Sequence, residues 1–136
     1  RSTLFPYTTL FRSPYRELKP DVVVAELGDG ILGEYGVQDI LRDPELTSRG
    51  AAFIMAAPDP VACWGAVELM RSEFHLPITA ITGPATDNEV GRDYVTAQLG
   101  VPAHNARRDA AGLVDTTLQA LKRWRSTRPI VVAGEV

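Results

Sequence analysis

The chain is expected to be α/β, with a mainly parallel sheet flanked by helices. Three observations carry that expectation. Short apolar runs recur at Val22–Ala25, Ala51–Ala57, Ile78–Ile81 and Val101–His104. Segments with helical spacing separate them, and strands that alternate with helices are joined by crossovers into a parallel sheet. The run Val22–Ala25 is apolar at every position, as a strand covered on both faces requires.

The elements follow in order. Val37–Arg42 allows one or two helical turns, closed by Asp43-Pro44. Ala51–Ala57 is a second strand that stops at Pro58-Asp59-Pro60. Val61–Phe74 is a helix whose apolar face is read as Val61, Trp64, Val67, Leu69 and Met70. Ile78–Ile81 is a third strand ending at Thr82-Gly83-Pro84. Asp87 is expected to cap a helix through Leu99, with Val90, Tyr94, Val95 and Leu99 inward, and Gly100 to stop it. Val101–His104 is a brief fourth strand. Asp109 caps a helix to about Trp124, with Leu113, Val114, Leu118 and Leu121 on one face. Pro129–Ala133 is read as a last strand.

Residues 1–13 are set aside. Thr3–Ser13 reads as the in-frame translation of a common sequencing-adapter oligonucleotide over all eleven residues. It is treated as an artefactual arm, as expected of an open reading frame from a short or metagenomic assembly truncated at its start, and excluded from fold reasoning. Residues 14–136 are expected to form the C-terminal portion of one α/β domain.

Composition bounds the function. Formal net charge is -3; without Arg1 and Arg12 there remain 12 basic against 17 acidic residues, a balance of -5. An acidic surface argues against nucleic acid as partner. The single Cys63 forms no intramolecular disulfide and fits a reducing, cytoplasmic setting; in Ala-Cys-Trp it reads as a buried thiol rather than a nucleophile. No apolar run approaches membrane-spanning length.

Chemistry is expected where strands end, because ligands of open parallel sheets bind beyond the carboxyl ends of strands. Val22–Ala25 runs into Glu26 and Asp29, set among Gly28, Gly30 and Gly33 before Glu34. Two such carboxylates can hold Mg²⁺, which takes hard oxygen ligands and keeps several waters. The same residues also allow a tight turn with acids facing water. Asp59 reads equally as an Asx turn between prolines and as a ligand. Asp87 reads as a cap before a catalytic acid. His75 stands at a helix end, near the last carbonyls. His104 stands beside Asn105, Arg107 and Arg108, a cluster that suits either an anion or solvent. Two separated histidines and one Cys make no zinc site. There is no Gly-x-Ser-x-Gly elbow.

The strand ends in sequence are Val-Val-Val-Ala-Glu-Leu-Gly-Asp-Gly, Phe-Ile-Met-Ala-Ala-Pro-Asp-Pro, Ile-Thr-Ala-Ile-Thr-Gly-Pro-Ala-Thr-Asp-Asn and Leu-Gly-Val-Pro-Ala-His-Asn-Ala. This order resembles the later half of P-loop nucleotidases of the signal-recognition, septum-positioning and biotin-synthesis class, which includes partition ATPases, dethiobiotin synthetase and cobyrinate amidotransferases. The resemblance covers about residues 19–121 and rests on order and turn chemistry. It implies an incomplete P-loop/Rossmann-like three-layer domain that binds ATP or GTP with Mg²⁺. It further implies that Glu26 matches the Walker B acid, with Asp29 in the loop after it, and that both serve as catalytic and metal residues. Gly28, Gly30, Pro58, Asp59, Thr82, Gly83 and Asn88 are its implied cofactor-binding positions, Asn88 falling several residues later than the family's base-contacting Asn. The phosphate loop Gly-x-x-x-x-Gly-Lys-Ser/Thr is absent. In the family that loop precedes the Walker B strand, so the chain as given is expected not to hydrolyse nucleotide unaided. The implied partners are a nucleotide and a small-molecule substrate, with a homodimer admitted.

Two further readings stay open. Gly28-Asp29-Gly30-x-x-Gly33 formally fits the dinucleotide fingerprint of an NAD(P)-type Rossmann-like oxidoreductase, although Asp29 would face a pyrophosphate and Asp43-Pro44 interrupts the helix that should follow. The other is a non-catalytic α/β ligand-binding domain.

Overall fold

The computed structural model describes residues 20–127. The chain divides into two compact units, Arg1–Gly50 and Ala51–Val136.

In the first unit, α1 (Val37–Arg42) buries Val37 and Leu41, one helical turn apart on one face. Gly36 enters it with φ 81°, in the left-handed region that glycine tolerates. Asp43 ends α1 and caps α2 (Pro44–Thr47), accepting from the Glu45 N–H at 2.8 Å, with Pro44 in the first turn. Asp43-Pro44 therefore closes one helix, as expected, and opens another that the sequence reading did not anticipate.

The expected first strand is corrected. Val22–Ala25 has no strand pairing, and Val22, Val23 and Val24 are 50%, 53% and 92% exposed. An apolar run becomes a strand only when a neighbouring ladder accepts its N–H and C=O groups. Among the described residues none does.

The second unit is mixed α/β around a small parallel sheet. β1 (Ile54–Ala56) pairs in parallel with β2 (Ala80–Thr82) in the register Ile54–Ala80, Met55–Ile81 and Ala56–Thr82. Ala103 adds a parallel bridge to Ile81. Ile81 N–H donates to the Pro102 carbonyl at 2.9 Å, and His104 N–H donates to the Ile81 carbonyl at 3.0 Å. Pro102 has no N–H, so the expected fourth strand is reduced to this single bridge. The third strand sits one to two residues later than its apolar run indicates. The last expected strand, 129–133, lies outside the described residues.

α3 (Pro60–Ser72) is capped by Asp59, whose Oδ1 accepts from the Ala62 N–H at 2.8 Å. Its inward positions are Cys63, Val67 and Met70, spaced i, i+4, i+7. Val61 and Trp64, expected inward, are 75% and 54% exposed. His75 follows at φ 55°, and the Leu76 N–H reaches back to the Met70 carbonyl at 3.0 Å.

A 3-10 turn, Pro84–Thr86, leads to α4 (Glu89–Asp93), which continues as a π-helical stretch, Tyr94–Gln98. The cap is Asn88, not Asp87: its Oδ1 accepts from the Gly91 N–H at 2.9 Å. Val95 is fully buried as expected, but Val90 is 79% exposed. Gly100, at φ 66°, ends the helix as expected.

α5 (Ala110–Thr127) begins after Asp109, whose Oδ1 accepts from the Gly112 N–H at 3.1 Å. Leu113 and Leu121 are half-buried, whereas Val114 and Leu118 are exposed. No described helix is long and apolar enough to cross a membrane. The core gathers Ala57, Cys63, Ile81, Ala85, Val95 and Val101, with Met55, Val67, Ile78, Tyr94 and Leu99 packed on it.

Candidate functional site

Parallel pairing sends the carboxyl ends of β1, β2 and the Ala103 segment to one edge. Asp59, Thr82, Gly83 and His104 follow those ends, as the sequence predicts. Thr82 is buried; its carbonyl accepts from the Ala57 N–H at 3.0 Å, and its Oγ1 accepts from the Ala106 N–H at 3.1 Å. It therefore ties all three strand ends together. Gly83 has φ 91°, and a Cβ there would lie 2.8 Å from the Ala57 carbonyl oxygen. That close approach lets the loop turn off β2 toward Pro84–Thr86. Pro58 is exposed, and Asp59 is committed to its helix cap.

The edge opens into a pocket of about 500 Å³, lined by Asp87, Asn88, Glu89, Arg92, Asn105, Arg108 and Asp109. One wall is the start of α4; the other is the loop before α5. Buried Asn105 joins them. Its Nδ2 donates to Asp87 Oδ1 at 2.8 Å and to the Thr86 carbonyl at 3.3 Å, while its Oδ1 accepts from the Arg107 and Arg108 N–H groups at 3.0 and 3.1 Å. Each guanidinium is anchored on a carbonyl: Arg92 Nη1 on Thr86 at 3.0 Å, and Arg108 Nη1 on Asp87 at 2.7 Å.

The loop is also fastened to α5. His104 Nδ1 lies 2.7 Å from Asp109 Oδ2, and Nε2 lies 2.9 Å from Thr116 Oγ1. The His104 hydrogen bond, then the Gly112 N–H, holds the Asp109 carboxyl below its ordinary value. Gly112 makes room for the ring, since a Cβ there would stand 2.6 Å from Nδ1.

No family model, curated protein or solved structure matches this chain. The functional reading therefore rests on the residues themselves.

Of the implied cofactor-binding positions, only Asn88 lines the pocket, and its side chain is engaged as a helix cap. Asn105 and Arg108, read in the sequence as part of a cluster suited to an anion or to solvent, both line the pocket; sequence reasoning missed Arg92 there, and Thr116 and Gly112 as partners of His104. The polar run His104-Asn105-Ala106-Arg107-Arg108-Asp109 before a helix carried the signal for Asn105 and Arg108, and no comparable run marks Arg92.

Glu26 and Asp29 belong to the first unit. Asp29 organises its own loop: its Oδ2 accepts from the Tyr35 N–H at 3.3 Å, and its carboxylate closes over Gly33 so tightly that any side chain there would collide with it. The Gly33 N–H donates to the Gly30 carbonyl at 2.8 Å, completing the turn. Glu26, Gly28 and Gly30 are exposed. Among the described residues no three His, Cys, Asp or Glu side chains gather around one point. One exposed and one partly exposed carboxylate on a turn fit Mg²⁺ only in its usual protein mode, one or two carboxylates with the remaining ligands from water and phosphate. Cys63 is buried and burial raises its thiol pKa, with Asp59 adding to the rise, so it is a packing residue as expected.

Proposed function

We propose that the chain is the C-terminal part of an Mg²⁺-dependent nucleotide-binding protein, a P-loop NTPase or ATP-dependent ligase with a P-loop/Rossmann-like three-layer domain, working in the reducing cytoplasm. The observation that carries the reading is the shared carboxyl edge of parallel segments, opening into a polar pocket. Such an edge is where α/β proteins of this kind place their ligands.

Glu26 and Asp29 are the residues that would hold Mg²⁺ against ATP or GTP. When bound, the ion offsets the repulsion between carboxylate and phosphate and polarises the phosphoryl oxygens. Thr82 and Gly83 shape the strand end, and Gly28 and Gly30 keep the acidic loop open to a ligand. Turnover requires a phosphate loop and its Lys, so this chain binds without hydrolysing.

Titration with ATP and GTP, with and without Mg²⁺, tests the reading. Binding should depend on Mg²⁺, and Glu26→Gln, which removes charge while keeping size, should weaken it about tenfold, equivalent to ~1.4 kcal/mol. Asp29→Asn should act in the same direction. Mg²⁺-independent binding, or binding unchanged in both variants, removes these acids from the site and leaves a non-catalytic domain.

A further inference from the structure

We propose that Asp29–Gly30 is a spontaneous modification site, where the chain isomerises to isoaspartate and becomes a substrate for methyltransferases that recognise isoaspartyl carboxylates. The proposal stands apart from the nucleotide reading, and neither depends on the other.

The chemistry needs only these two residues and water. The Gly30 main-chain nitrogen, its proton given to water, attacks Cγ of Asp29. A C–N bond forms, a Cγ–O bond breaks and water leaves, closing a succinimide ring. Water then adds to the ring carbonyl that came from the Asp29 main chain and breaks its bond to nitrogen. The chain now runs through Cβ and Cγ, the former main-chain carbonyl is the free carboxylate, and the composition is unchanged. A Cβ on the following residue crowds the attack and restricts its backbone, so glycine there favours ring closure.

Of the nine aspartates, only Asp29 is followed by glycine. The structure leaves this pair open. Gly30 is exposed, and a Cβ built on it meets nothing within 4 Å. Among the described residues its N–H has no hydrogen-bond partner, while its carbonyl accepts from the Gly33 N–H. The Asp29 carboxyl accepts from the Tyr35 N–H at a long 3.3 Å. A bond of that length holds weakly, so Cγ is free to swing toward the Gly30 nitrogen.

The other aspartates are protected. Asp43 and Asp59 precede prolines, which have no N–H, and their carboxylates cap helices. Asp87 is held by Asn105 Nδ2, and Asp109 by His104 and the Gly112 N–H. Asp39, Asp93 and Asp115 lie in helices, where the following N–H is committed to the helical ladder. Asp21 precedes the β-branched Val22. Isomerisation at Asp29 adds a methylene to the backbone and moves the carboxylate. The bond to the Tyr35 N–H and the Gly30–Gly33 turn are then lost together.

The experiment ages the full chain at neutral pH, digests it and separates the Asp29 peptide by liquid chromatography. A second peptide of equal mass should accumulate, with the change located at Asp29 by fragmentation. It should accept a methyl group from S-adenosylmethionine when protein isoaspartyl methyltransferase is added. Conversion in the folded chain should run within about tenfold of its rate in urea. Gly30→Ala, which the open surroundings accommodate, should slow it at least about tenfold. Asp29→Asn should close the same ring with loss of ammonia, at least about tenfold faster than the parent. Absence of the equal-mass peptide, protection beyond that margin in the folded chain, or Gly30→Ala ageing as fast as the parent overturns the proposal. Mg-ATP binding by fresh protein is untouched by any of these outcomes, so the nucleotide reading stands or falls separately.

Discussion

Two glycines are fixed by backbone rather than by propensity. Gly91 lies in α4, where Ala is favoured over Gly by about 1 kcal/mol on propensity alone. A Cβ at Gly91, however, would land on the Ala85 carbonyl oxygen, which cannot swing aside. Gly83 combines φ 91° with a Cβ position 2.8 and 2.9 Å from the Ala57 oxygen and nitrogen. Gly91→Ala and Gly83→Ala should each lose about 2–3 kcal/mol, against the propensity trend at Gly91, as read from urea midpoints. A second residue-scale expectation concerns pH. The Asp109 carboxyl is held below its ordinary value of 3.8 by the His104 hydrogen bond and then by the Gly112 N–H. A depressed carboxylate contributes stability that is present above that ordinary value and is lost as pH falls through the lower, folded value. Asp109→Asn keeps a good cap but removes the charge. Stability below about pH 4 should therefore fall less steeply in Asp109→Asn than in the parent chain, and identical acid profiles would show that the pair contributes nothing.

At the scale of elements, helix ends were the most legible feature. Asp109 caps α5 as expected, and Asp59, read as an Asx turn or a ligand, proves to cap α3. Asp59→Ala should lower stability by about 1 kcal/mol in the same urea assay. His75, by contrast, occupies the left-handed C-terminal position that glycine usually fills, at φ 55°. His75→Gly should raise stability by up to about 1 kcal/mol, and a lower urea midpoint would place another role on the imidazole. Faces and strands were less legible. Periodicity identifies a stripe without saying which side meets the core. Of the expected stripe, Val67 and Met70 face the core together with Cys63, whereas Val61 and Trp64 are exposed. At α4 the neighbouring candidates Asp87 and Asn88 divide the work: Asn88 caps, and Asp87 holds Asn105 across the pocket. Val22–Ala25 shows the limit for strands, because its residues are ideal but pairing depends on a partner that local sequence does not encode. The pocket was legible only in part, through the cluster beside His104, for a related reason. Its walls lie well apart in sequence and are joined by Asn105 to Asp87 and Thr86 and by Arg108 to the Asp87 carbonyl.

At the scale of the whole molecule, the two units divide the proposed chemistry. The first carries the acids Glu26 and Asp29; the second carries the parallel core and the charged pocket. Neither role draws on Arg1–Ser13, whose sequence reads as translated adapter over eleven residues from Thr3 to Ser13. On the adapter reading, the segment has no history beside this core and no reason to complement its packing, and jigsaw complementarity is what contributes the last few kcal/mol of a native core. Among the described residues, those that close the core of the second unit, from Ala57 to Val101, are all supplied by the chain beyond position 50. Deleting residues 1–13 should therefore leave the thermal midpoint within about 2 °C of the parent, measured by circular dichroism or calorimetry. In a chain of this size a shift of about 5 °C corresponds to ~1 kcal/mol. A fall larger than that would mean that the arm packs productively, and that residues 1–13 belong to the fold after all.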